Sequence, residues 1–338
     1  MQDLKQARST IANLEERLAE LKETVREKSD LVTKLASPRI IVDPAAPISS
    51  RMRACFYLRT EGTDQAAKVL AKVVQMRGES VLLRHEAAYC LGQMKREVII
   101  PELVEVLQDK EDDAIVRHEC AEALGAIGND SCLDVLIKVA ENESEPIEVR
   151  ETCDIAIDRF KDVQKGTKVS AGEEDGFNTV DPAIVTEIAN ETPISKLEET
   201  LNSTKVSLYE RYRAMFSLRN RAANGKTEEE RVAAVLAISK SLMNAEQGSL
   251  FRHEVAFVLG QLSHEASVPY LKLALEDMSL HDMVRHESAE ALGGIGTDEA
   301  LEILKHYLAN QKEAKIVRES CEVALDAVEY WKQFENRE

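Results

Sequence analysis

Four dipeptides carry most of the chemistry this sequence offers: His85-Glu86, His118-Glu119, His253-Glu254 and His286-Glu287. They use four of the seven histidines, and each directly follows an arginine: Arg84, Arg117, Arg252 or Arg285. Imidazole nitrogen and carboxylate oxygen without thiolate suit iron or manganese better than structural zinc. Carboxylate-rich helix pairs that also bear histidine can hold two metals. His85, Glu86, His118, Glu119, His253, Glu254, His286 and Glu287 are therefore candidate metal ligands. One such pair would be ordinary helix decoration. Four in a common register, two adjacent in each half of the chain, point to a site. A fifth pair, His264-Glu265, is off register, and its counterpart is Arg96-Glu97; it reads as surface.

The register comes from a repeat. Arg51, Arg84, Arg117 and Arg150 recur at one constant interval, and Arg211, Arg252, Arg285 and Arg318 form a second set. The last two steps of that set keep the interval; its first is longer, the extra residues falling in the polar stretch 220–231. Around Arg117, Val116, Cys120, Ala121, Leu124 and Ile127 form one apolar helical stripe, and Arg285 has Val284, Ser288, Ala289, Leu292 and Ile295. Upstream segments such as "IIPELVEVLQD" supply a partner helix. The predicted fold is all-α: a helical-repeat superhelix of two pseudo-symmetric halves, each of four helix pairs. The boundaries read as an N-terminal helical extension (1–45), a first half (46–161), a linker (162–195) and a second half (196–338). "KGTKVSAGEEDGFNTVDP" lacks periodicity and reads as flexible, long enough for the halves to face one another. Four histidines and four glutamates would then converge. The arginine, present in every repeat, reads as scaffold: an inter-repeat ion pair or a helix-end contact.

Eight residues after the arginine, the His-Glu repeats carry Gly92, Gly125, Gly260 and Gly293, where the others carry Arg59, Asp158, Arg219 and Asp326. Mid-helix glycine costs about 1 kcal/mol. Lying on the imidazole face, it suggests a space beside the site; close helix packing is the alternative. Near the N-terminus, Leu4, Ala7, Ile11, Leu14, Leu18, Leu21 and Val25 form a heptad seam. It reads as a helix packed on the first repeat or, alternatively, as one for self-association.

Composition agrees. Aromatics are 4% and the net charge is −18, which disfavours nucleic acid and would attract a basic partner. No apolar run approaches a membrane span. The six cysteines show no CxxC and sit at apolar positions, as expected of reduced core thiols in a cytoplasmic protein.

"AIVRHECAEALGAIG" and "MVRHESAEALGGIG" resemble HEAT-like repeats of the VRxxAAxALGxIG kind. Together with "LLRHEAAYCLGQM" and "FRHEVAFVLGQL", they make residues 46–338 closely similar to the deoxyhypusine hydroxylase family. The resemblance implies a non-haem di-iron monooxygenase using Fe2+ and O2. It would hydroxylate the deoxyhypusine side chain of eukaryotic translation initiation factor 5A, forming hypusine. It implies that His85, His118 and Glu119 bind one iron and His253, His286 and Glu287 the other. Glu86 and Glu254 match catalytic positions that hold the substrate amine, although the residues alone leave direct ligation open. Gly92, Gly260 and Met283 match substrate contacts; Ile115 replaces Met283 in the first half. The extension is longer than the family leads one to expect. The rival readings are a non-catalytic scaffold and a bilin-lyase-like repeat protein, neither of which explains the recurring His-Glu.

Overall fold

The computed structural model describes residues 36–167, 177–186 and 191–335, with Arg17 an isolated residue of the N-terminal segment. The seam residues from Leu4 to Val25 lie outside the described residues. Every regular element described is helical. The inner row of the first half is α1 (Ile48–Glu61), α3 (Val81–Met94), α5 (Ala114–Ile127) and α7 (Ile147–Gln164). Residues 36–40, α2 (Asp64–Gln75), α4 (Ile100–Gln108) and α6 (Leu133–Ala140) form its outer row. The second half repeats this, with α8 (Ile194–Asn202), α10 (Glu228–Leu242), α12 (Val268–Glu276) and α14 (Asp298–Ala309) outside. Its inner row is α9 (Leu208–Asn224), α11 (Ser249–Leu262), α13 (Asp282–Ile295) and α15 (Lys315–Glu335). Among the described residues no helix is long and apolar enough to cross a membrane.

Local chemistry sets the helix ends. Ser80 Oγ accepts from the Leu83 amide (3.1 Å) and Asp113 Oδ1 from Ile115 (2.9 Å), capping α3 and α5. Gly128 and Gly296, at φ +71° and +66°, turn the chain out of α5 and α13 in the left-handed region. The expected stripe packs inward: Val116, Cys120, Ala121 and Leu124 are wholly buried. All six cysteines are buried and unbridged.

The repeat arginine makes both of the contacts expected of it. Arg51, Arg84, Arg117, Arg150 and Arg285 donate from Nε to the carbonyl ten residues back, at 2.8–3.0 Å, closing the end of the preceding outer helix. Four of them also pair with a carboxylate just before the next inner helix: Arg51–Glu79, Arg84–Asp112, Arg117–Glu145 and Arg285–Glu313. Each of these four thus ties its own helix pair and staples the next repeat.

The helix glycines correct the expectation of a space. An added Cβ at Gly92 would stand 2.9 Å from Ala123 Cα, and at Gly260 3.1 Å from Ala291 Cα. Gly125 meets Ala156 and Gly293 meets Ala324 in the same way. Glycine on one inner helix and alanine on the next let their backbones approach closely, leaving no room between them. The first repeat of each half uses the position differently. Arg59 donates to the Asn178 carbonyl and Arg219 to the Asp181 carboxylate, both on the linker.

The halves close into a ring. At one junction Arg213 of α9 pairs with Asp162 of α7; at the other Arg53 of α1 pairs with Asp326 of α15. The linker is not uniformly loose, as its composition suggested. Its residues 177–186 form a strap with Ala183, Ile184 and Val185 buried, and Arg159 Nε donates to the Asp181 carbonyl at 3.1 Å.

Candidate metal centre

Helices α3 and α11 face each other across the pseudo-two-fold axis and present equivalent side chains in layers, one helical turn apart. First come His85 and His253, edge to face at 5.6 Å between ring centroids. Next are Tyr89 and Phe257 at 5.8 Å. Last are Gln93 and Gln261, which both hold the strap: the Val180 amide donates to Gln93 Oε1 (2.7 Å) and Gln261 Nε2 to Thr179 Oγ1 (3.3 Å). The flanking helices α5 and α13 add His118 and His286. His118 lies 5.4 Å from His85 and 5.3 Å from His253; His286 lies 5.2 Å and 5.5 Å from the same two rings.

All eight His-Glu side chains are therefore brought together, and each of these residues is at most 6% exposed. Nitrogen and oxygen atoms of His85, His118 and His253 approach within 4.8 Å of one another, as do those of His253, His286 and Glu287. His85 Nε2 is 3.2 Å from Glu119 Oε2, its Nδ1 is 3.2 Å from Glu86 Oε1, and His253 Nε2 is 3.4 Å from Glu287 Oε2. Met283 is buried in the first turn of α13. Gly92 and Gly260 lie two turns beyond their histidines, at the helix contacts described above. His264 caps the turn before α12 and pairs with Glu228 outside the cluster.

Two contributors were missed. Glu122 groups with His118 and Glu119 within the same 4.8 Å limit, and its counterpart Glu290 places Oε1 3.5 Å from His286 Nδ1. Their signal was present at the fifth position after the arginine: glutamate in the third repeat of each half, Tyr89 and Phe257 in the second.

The cluster is electrostatically unsettled as a purely protein assembly. Both ring nitrogens of His118, His253 and His286 are buried without a hydrogen-bond partner among the described residues, although leaving such groups unpaired is costly. Burial, then the neighbouring imidazoles, hold His118 and His286 well below the ordinary histidine range. They are therefore neutral, the state in which imidazole ligates metal. His85 is the exception: burial opposes its charge, but Glu119 and Glu86 outweigh burial and raise it. Burial and then Glu119 push Glu254 up; burial and then Glu119 and Glu254 push Glu122 up. Burial and then Glu86 and Glu287 push Glu290 up. Buried imidazole nitrogens without hydrogen-bond partners among the described residues, set among carboxylates that repel one another, form a donor set compatible with metal binding.

Fold and site together define an all-α repeat protein whose two halves clasp a buried histidine–glutamate centre. A family model of HEAT repeats matches residues 69–158 and 237–326. The deoxyhypusine hydroxylase of Drosophila pseudoobscura pseudoobscura is 44% identical over 284 residues, covering 84% of this chain and 87% of its own. That of Danio rerio is 44% identical over 293 residues, covering 86% and 90%. A solved structure of human deoxyhypusine hydroxylase in complex with glycerol aligns with a TM-score of 0.78 at 42% identity, covering 89% of this chain and 99% of that one. The chain belongs to the deoxyhypusine hydroxylase family, and it is an enzyme of that activity.

Proposed function

We propose that this enzyme hydroxylates the deoxyhypusine side chain of eukaryotic translation initiation factor 5A in the cytoplasm, using O2 and two irons held by the His-Glu cluster. The observation that carries this reading is the set of buried imidazole nitrogens with no hydrogen-bond partner. Their number and chemistry fit two octahedral-type N/O metal sites better than one structural zinc. In this reading His85, His118 and Glu119 hold one iron, and His253, His286 and Glu287 hold the other. Two ferrous ions bound there would supply the electrons that activate dioxygen toward an unactivated C–H bond.

The remaining residues bind and orient. The substrate side chain is a lysine extended by a 4-aminobutyl group, with two cationic nitrogens. Glu86 and Glu254, buried beside the histidines, offer carboxylates for those amines. An ion pair at about 4 Å is worth about 4 kcal/mol at an effective dielectric of about 20, and misaiming by about 1 Å costs roughly a hundredfold in rate. Gly92, Gly260 and Met283 belong to the same proposed substrate environment. The Tyr89–Phe257 layer and the strap exclude water from one end of the axis. The net charge of −18 favours approach of a basic substrate loop. In organisation, we take 46–161 and 196–338 as the two halves, 162–195 as their linker and 1–45 as an extension that packs on the first repeat or self-associates.

The test is direct. The purified protein is loaded anaerobically with ferrous iron, mixed with the deoxyhypusine form of the factor, a reductant and air, and the factor is weighed by mass spectrometry. The expected product has gained one oxygen atom, with two irons per chain. Activity with zinc alone, or no product with two irons bound, overturns the reading.

A further inference from the structure

The halves are pseudo-equivalent, so both flanks of the cluster would be expected to offer the same way in. They do not. On one flank Glu122, Gly125, Ala156 and Arg159 meet Val180 and Pro182 of the strap and leave a void of about 10 Å3. On the other, their counterparts Glu290, Gly293, Ala324 and Ala327 face an open cavity of about 510 Å3. A second cavity of about 380 Å3 continues it between α1 and α15, sharing Phe56, Val323 and Ala327.

The difference lies in residues that break the register. Arg159 clasps the Asp181 carbonyl of the strap; its counterpart is Ala327, whose methyl group cannot reach so far. Phe216 is wholly buried under Arg219, whose guanidinium also stacks on Phe177 of the strap at 4.3 Å. Its counterpart Phe56 is 39% exposed and lines the open cavity. The strap, present once in the chain, fills one of two equivalent flanks. The route along the axis from the strap end is closed as well, by Tyr89 against Phe257 and by the two glutamines that hold the strap.

The open cavity ends at chemistry. Glu290 Oε1 accepts from Ser320 Oγ at 2.9 Å and lies 3.5 Å from His286 Nδ1. Its other walls are glycine, alanine, valine, isoleucine and phenylalanine, with Lys332 at the rim. Small and aliphatic side chains with a carboxylate at the inner end suit a chain of methylenes carrying an ammonium group, and a deoxyhypusine arm has that form. We propose that the substrate arm reaches the histidine cluster through the Phe56–Ala327 cavity, with Glu290 pairing with one of its amines, while the strap closes the equivalent route past Glu122. This rests on the deoxyhypusine reading above and assigns a direction to it.

The test uses the iron-loaded full chain, kept anaerobic so that nothing turns over, and a synthetic peptide carrying deoxyhypusine. All six native cysteines are buried, so A327C places a reactive thiol in the open flank and D158C places one next in the chain to Arg159 of the strap flank. The peptide should slow maleimide labelling of A327C at least about tenfold and leave D158C unchanged. E290Q should weaken peptide affinity about tenfold or more while two irons remain bound, as expected for loss of a charge partner. A327W, checked by circular dichroism for intact helix, should weaken it similarly. Protection of D158C but not A327C, or unchanged affinity in both E290Q and A327W, overturns the route. Failure of the unmodified protein to bind the peptide overturns the deoxyhypusine reading itself.

Discussion

His85 and His253, equivalent positions of the two halves of the ring, meet edge to face with 5.6 Å between ring centroids. Neither half contains the cluster; the interface between them does. The two proposed iron sites, one from each half, meet at that interface, and by mass action a ligand that binds only the folded state adds about 2.7 kcal/mol at about 100 times its Kd. Ferrous iron should raise the melting temperature of the metal-free protein in anaerobic thermal scans. H118A and H286A should each lose most of that increment and bind less iron by elemental analysis, with the helical circular dichroism signal kept. An unchanged increment and iron content in both would remove these residues from the ligand set.

The helix glycines make a separate prediction. A Cβ at Gly293 would stand 2.5 Å from Ala324 Cβ, so G293A forces α13 away from α15. Overpacking of this kind costs about 1–3 kcal/mol, read as a lower urea midpoint. Adding A324G to the same chain should restore much of the loss, giving a coupling a double-mutant cycle detects. If Gly293 did not touch Ala324, G293A would be neutral or slightly stabilising.

The repeat, its two pseudo-symmetric halves and the His-Glu register were legible in the sequence because each recurs at fixed spacing. The meaning of Gly92 or Gly293 was not, because a single helix does not say what packs on it, and the answer was an alanine of the following repeat. Glu122 and Glu290 were equally periodic, but their importance depends on His118 and His286 lying one turn away on the face turned to the centre. The strap carries no periodic signal at all. Asp181 acquires its role from Arg159 and Arg219, which approach it from different halves.

The arginine staples predict the acid limit of the fold. Arg285 and Glu313 are almost wholly buried as a pair, and removing one partner of such a pair costs about 3–5 kcal/mol. E313A should therefore lower the urea midpoint far more than alanine at the exposed Glu302. The same pairs set the pH response. Arg51 holds the Glu79 carboxyl below its ordinary value; for Asp112 and Glu313 burial opposes ionisation, but Arg84 and Arg285 outweigh it. A carboxyl depressed in the folded state stabilises the fold above its ordinary pKa, near 4. That contribution is lost as the pH falls through the lower folded value. This contribution to the melting temperature of the metal-free protein should be complete above about pH 5 and be lost below about 4.5. In E313A the fall should be shallower, since one of these carboxyls no longer titrates.

Glu86 and Glu254 are equivalent in sequence, but the ring does not treat them alike. Asp181 of the strap is among the charges that raise Glu254, whereas Glu86 is the charge that acts most strongly on Glu290, at the inner end of the open cavity. If both glutamates only completed the metal shell, E86A and E254A would reduce iron content to a similar degree. If the arm enters on the open flank, E86A should weaken binding of a deoxyhypusine peptide about tenfold or more with iron retained, while E254A changes affinity less. Calorimetric titration of the iron-loaded variants, paired with elemental analysis, separates the two. Loss of iron with unchanged affinity in E86A would make Glu86 a metal ligand, and equal affinity losses in both variants would mean that the arm spans both flanks.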